Sequence, residues 1–126
     1  MENEGINTGA ELCIAPGGVS VQPQLVSAAT WDARCETDIQ NLTDGEHHVL
    51  LRSSIVDDEG IVFGAAQTEA DIAGGESIRL VQSVLCYGVR SGDEEQYTMI
   101  TELCERGSII AEKRTGFGFQ DTDRKG

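Results

Sequence analysis

Two histidines, four cysteines and two acidic clusters are the side chains of this 126-residue chain that could do chemistry. His47 and His48 are neighbours in sequence. Adjacent residues of a strand point to opposite faces, so the pair cannot ligate one metal together. Neither has a nucleophile and an orienting group at the spacing a catalytic triad needs. The cysteines are Cys13, Cys35, Cys86 and Cys104, with no C-x-x-C pair, which argues against a zinc knuckle. Four cysteines allow three pairings, and spacing does not choose among them. A chain able to build a core is expected to keep them as buried free thiols.

Asp57-Asp58-Glu59 and Asp93-Glu94-Glu95 are rich in oxygen, as calcium loops are, but neither completes a calcium-loop pattern. Both sit where turns are expected, as solvated tips. A pair of carboxylates that hydrolyses a glycoside needs a rigid pocket to set their separation, and hairpin tips supply none. Gly116-Phe117-Gly118-Phe119 lacks the spacing of a phosphate loop and precedes no helix. Asn41-Leu42-Thr43 fits the glycosylation acceptor triplet, which matters only in a secreted eukaryotic protein. Trp31 and Tyr97 fall on inward rows, which assigns them to a core rather than to a sugar-stacking platform. No catalytic, cofactor-binding or metal-ligating residue, and no cofactor, is therefore expected.

The elements that would position these groups are short strands between glycine-rich and acidic turns. Residues 29–41 carry the clearest signal. Trp31, Ala33, Cys35, Thr37 and Ile39 share one face, and Asp32, Arg34, Glu36, Asp38 and Gln40 the other. Residues 48–56 place Val49, Leu51, Ser53 and Ile55 together, and residues 96–104 place Tyr97, Met99, Thr101 and Leu103 together. Residues 61–70, 77–87 and 108–119 read as further strands. Residues 12–14 form a short apolar piece stopped by Pro16-Gly17-Gly18. Residues 19–26 form a strand that Pro23 marks as an edge. Gly60 is placed to supply the positive φ of a hairpin after Asp57. About seven strands with turns every 8–12 residues or so predict an all-β, immunoglobulin-like antiparallel sandwich. The domain spans residues 12–120, with a flexible leader over 1–11 and a flexible tail over 121–126.

Composition narrows the function classes. Hydrophobic residues make up 39% of the chain, enough for one core. Twenty-two acidic residues against 9 basic give a net charge of −13, a field that repels nucleic acid and anionic membrane. No apolar run approaches the roughly 20 residues of a membrane span. The acidic, polar start offers no secretory signal. A soluble chain is expected, its compartment unspecified.

The C-terminal half carries a further pattern. Val84-Leu85-Cys86 precedes the Gly92-Asp93 loop, followed by Gln96-Tyr97-Thr98-Met99-Ile100-Thr101-Glu102-Leu103. Ile109-Ile110-Ala111-Glu112 and Arg114-Thr115-Gly116-Phe117-Gly118-Phe119-Gln120 close the chain. These segments resemble the central immunoglobulin-like domain of glycoside hydrolase family 2, the β-galactosidase, β-glucuronidase and β-mannosidase group. Residues 29–41 and the Ile55-Val56-Asp57-Asp58-Glu59-Gly60 hairpin resemble that domain's earlier strands. Cys86, Gln96 and Gln120 stand where the family carries tryptophan, leucine and arginine.

The resemblance implies an architectural role. In that family the sandwich lies between a sugar-binding jelly roll and the catalytic barrel, and the catalytic glutamates belong to the barrel. The chain would then be a non-catalytic linker domain of a β-galactosidase-like parent, cytoplasmic or periplasmic. Its partners would be those neighbouring domains, not nucleic acid or membrane. The tail at Asp123-Arg124-Lys125-Gly126 would lead towards the barrel. The competing expectation is an unrelated immunoglobulin-like binding or adhesion module. A small enzyme or metal protein would need a convergent polar pocket, which the pattern does not supply.

Overall fold

The computed structural model describes residues 4–7, 11–91 and 96–120. Eight strands follow one another: β1 (Glu4–Asn7), β2 (Leu12–Leu25), β3 (Thr30–Asn41), β4 (His47–Val56), β5 (Val62–Ile72), β6 (Ser77–Tyr87), β7 (Tyr97–Glu105) and β8 (Ser108–Phe117). They form a five-stranded sheet in the order β1-β8-β7-β4-β5 and a three-stranded sheet in the order β2-β3-β6. All strand pairs are antiparallel. The result is the expected antiparallel sandwich, with β2 to β8 as its seven strands and β1 added at one edge.

The period-two rows dictate which faces meet. Ala33, Cys35, Thr37 and Ile39 of β3 are fully buried, as are Val49, Leu51 and Ile55 of β4 and Met99, Thr101 and Leu103 of β7. Two rows from facing sheets close one interior, as one apolar face per sheet requires. Each large aliphatic side chain buried there contributes roughly 1.5–3 kcal/mol.

The interior divides into two apolar clusters. One gathers Trp31, Tyr97, Phe117 and Phe119 with Ile55, Val84 and Met99. Its rings meet edge to face, Trp31 and Phe119 at 5.5 Å and Tyr97 and Phe119 at 4.9 Å between centroids. The other gathers Leu12, Ile14, Ile39, Val49, Leu51, Ile72 and Leu103. Thr37, Ser53, Gln82 and Thr101 are buried on the same inward faces. Ser53 donates to Gln82 Oε1 at 2.5 Å. Gln82 Nε2 in turn donates to the Leu51 carbonyl oxygen and to Thr68 Oγ1. A buried amide stays inside only when its polar atoms are so engaged.

Three expectations change. Residues 12–14 and 19–26 are parts of one strand, β2. The ladder slips between Ile14 and Val19, so four residues of β2 lie opposite Asp38 alone. Gly17 takes a φ of 66° there, and Pro16-Gly17-Gly18 makes a bulge rather than a stop. Within the expected leader, Glu4–Asn7 pairs with Lys113 and its neighbours on β8, because that edge of the sheet still has free backbone groups to satisfy. Phe119 lies beyond β8 and bridges in parallel to Ser91. Asp93-Glu94-Glu95, the rest of the leader apart from Glu11 and the tail from Asp121 onward lie outside the described residues.

Candidate interaction surface

The groups able to do chemistry are spread over separate places on the sandwich. His48 points outward from β4. Its Nδ1 lies 2.6 Å from Asp71 Oδ1 and its Nε2 2.8 Å from Glu69 Oε1, both on the neighbouring β5. The two carboxylates hold the imidazole above its ordinary pKa of 6.5, the Asp71 hydrogen bond most strongly. All three side chains are more than half exposed. His47 takes the other direction and reaches Glu105 Oε2 on β7. Both histidines border an open depression of about 420 Å³ at the end of the sheet, with Glu46, Asp71, Glu105 and Arg106. Their hydrogen bonds run to different carboxylates. Among the described residues, no group of three or more histidine, cysteine, aspartate or glutamate side chains could hold a metal ion.

Asp57 is occupied by its own turn. Its Oδ1 accepts the backbone N–H groups of Glu59 and Ile61, both at 2.9 Å, while Gly60 takes a φ of 83°. The four cysteines are free and buried. Burial pushes the Cys86 thiol up to about 11, with the Asp32 carboxylate adding to the shift. It also raises Cys35, against which the hydroxyls of Thr37, Ser53 and Thr101 act. Thiols so disfavoured as thiolates are poor nucleophiles.

Two residues noted in the sequence hold the framework. Tyr97 is buried, and its hydroxyl accepts the Arg90 backbone N–H at 2.8 Å, the tyrosine corner of immunoglobulin-like sandwiches. Asn41 is fully buried, and its Nδ2 donates to the carbonyls of Gly45, Ile72 and Ala73. A glycan cannot be attached at an amide nitrogen so enclosed, so the acceptor triplet is a structural pin in the folded domain. Its parity with Trp31, Ala33, Cys35, Thr37 and Ile39 was the signal: an asparagine on an inward row must find partners for every polar atom. Gly116-Phe117-Gly118-Phe119 likewise supplies two aromatic rings to the core.

One outward row of the surface is largely apolar. On β6 the outward side chains of Val81, Leu85 and Tyr87 are 46%, 47% and 60% exposed. On the neighbouring β3 the same face carries Asp32, Arg34, Glu36 and Asp38.

No protein-family model matches the sequence, and no curated protein matches it. Solved structures do. A β-glucuronidase from glycoside hydrolase family 2 superposes with a TM-score of 0.81 at 19% identity, over 88% of this chain and 13% of that one. The fold is that of a domain within family 2 glycoside hydrolases. A family 2 member from Bacteroides cellulosilyticus gives a TM-score of 0.79 at 14% identity, over 86% of this chain and 14% of that one. The Bacteroides uniformis β-glucuronidase gives 0.77 at 12% identity, with the same coverage of 86% and 14%. This chain thus spans about one seventh of the length of each family 2 enzyme it resembles. Among the described residues, no helix is long and apolar enough to cross a membrane.

Proposed function

We propose that this chain is a non-catalytic structural domain of a family 2 glycoside hydrolase. It would fix the catalytic barrel relative to the sugar-binding jelly roll. One observation carries the reading: 86–88% of the chain superposes on only 13–14% of enzymes of that family. The side chains support it. Among the described carboxylates, Asp57 is engaged in its turn and Glu69 and Asp71 with an exposed histidine. A glycosidase needs two carboxylates facing one bond across a shaped pocket. The parent enzyme would be β-galactosidase-like. Since the similar enzymes include β-glucuronidases, both substrates belong in the test. The polypeptide translated from the whole reading frame around these residues should hydrolyse a nitrophenyl β-galactoside or β-glucuronide. A frame that encodes repeated sandwich domains and no barrel would overturn the reading in favour of a binding module.

A further inference from the structure

The outward row of β6 has a composition that an isolated sheet surface does not need. Of its last four outward residues, Val81, Ser83, Leu85 and Tyr87, three are large and apolar and substantially exposed. Single exposed apolar side chains are ordinary, but a row of them on one strand marks a contact surface. The strand pairs with β3 on one side only, because β6 ends the three-stranded sheet.

The charges beside the row are not evenly balanced. In register, Glu36 lies opposite Val81, Arg34 opposite Ser83, Asp32 opposite Leu85 and Thr30 opposite Tyr87. Glu36 and Asp38 have cationic partners: Arg34 at 3.4 Å and Arg79 at 2.7 Å respectively. Asp32 has none among the described residues. Its Oδ2 accepts the Ser83 hydroxyl at 3.2 Å, and its Oδ1 is shielded from solvent without a hydrogen-bond partner. The carboxylate without a cation is therefore the one beside the two most exposed apolar side chains of the strand.

We propose that the Val81, Leu85 and Tyr87 row is where a neighbouring domain of the same polypeptide docks, through an apolar surface that carries a lysine or arginine opposite Asp32. This rests on the reading above that the chain is one domain of a longer hydrolase, and it adds the surface and the chemistry of its partner. Charge selects the occupant. Two copies of this chain packed through the row would bring together molecules of net charge −13. A basic rim on a different domain removes that repulsion and supplies the missing cation. Size selects a tethered partner. Three side chains cover far less than the roughly 800 Å² per partner of a free-standing complex. Covalent linkage raises the local concentration enough for so small a contact to stay closed.

Hydroxyl-radical footprinting tests this on two proteins, the 126-residue chain and the polypeptide from its whole reading frame. Tyr87 and Leu85 are expected to be modified several-fold more slowly in the longer polypeptide. Leu42 and Ile109, exposed elsewhere, should change less. The Leu85→Thr/Tyr87→Thr double variant should leave the melting temperature of the 126-residue chain unchanged and restore fast modification of Val81 in the longer one. Asp32→Asn should partly restore it, with less effect at high salt. Equal modification of Tyr87 in both proteins, while other domains are present, overturns the docking proposal and leaves the linker reading standing. A reading frame without further domains overturns both. A lower melting temperature for the double variant of the short chain also overturns the proposal, because the row would then be held by packing within the domain.

Discussion

Asn41 Nδ2 lies 2.9 Å from the carbonyl oxygen of Ile72, and this bond ties the end of β3 in one sheet to the end of β5 in the other. The same nitrogen also donates to Gly45 and Ala73, while Asn41 Oδ1 accepts the backbone N–H and the hydroxyl of Thr43. One amide thereby satisfies three carbonyls and shapes the turn that carries the chain between sheets. Asn41→Ala leaves those carbonyls without their donor and should cost about 2–3 kcal/mol. Asn41→Asp should cost more, because it sets an acceptor against acceptors. Urea denaturation of the two variants checks both the size and the order.

Gly64 of β5 packs closely against β6. A methyl group there would meet the Leu85 carbonyl oxygen at 2.6 Å and Cys86 Sγ at 2.9 Å. Backbone cannot yield as a flexible side chain can, so Gly64→Ala should destabilise by about 1–3 kcal/mol. The position needs space and not a special backbone angle. Gly60→Ala fails for a different reason: its φ of 83° is strained for any side chain, although a methyl group there would meet nothing. Thermal melts of both variants, with the crystal structure of the milder one, would separate the two causes.

His48 gives a pH dependence whose sign is fixed. Its folded-state pKa is raised, first by Asp71 and then by Glu69, so protonation favours the folded state. The contribution is present in full below the ordinary value of 6.5 and fades as pH rises through the raised one. The group is exposed, so the effect on stability is small and screened by salt. A proton NMR titration should place His48 above a free histidine, and Asp71→Asn should lower it more than Glu69→Gln does.

The cysteines should be silent in the native protein. All four are buried, and each thiol is raised by burial, Cys86 to about 11. A disulfide reagent at mildly alkaline pH should leave the native chain almost unmodified and titrate four thiols after denaturation. Rapid native modification of Cys86 would contradict the burial.

The rows of β3, β4 and β7 were legible because alternation over nine or more residues admits only one buried face. Tyr97, Trp31 and Cys35 followed from that face, whereas Cys104 is buried out of phase with its row, after the ladder slips between Leu103 and Cys104. The continuity of β2 was not legible. Pro16-Gly17-Gly18 has the composition of a turn, and only the ladder with β3 on both sides of it shows a bulge. Strand β1 was invisible for a related reason. Glu4-Gly5-Ile6-Asn7 has one large apolar residue, and its pairing is drawn by the edge of β8 rather than by its own pattern. Asn41 was read only as part of an acceptor triplet because a triplet is local, whereas its partners Ile72 and Ala73 lie some thirty residues away. The outward row of β6 was hidden inside a run of apolar residues, where inward Val84 and Cys86 cannot be told from outward Leu85 until the facing sheet is known.

Glycosidase assay of the pure, folded 126-residue chain tests the structural-domain account most directly, using nitrophenyl β-galactoside and β-glucuronide beside the whole-frame polypeptide. The account predicts a β-type circular-dichroism spectrum, one cooperative melt and no hydrolysis by the short chain, with turnover by the long one. Hydrolysis that stays with the short chain through purification, or a long polypeptide that folds and cleaves neither substrate, would contradict it.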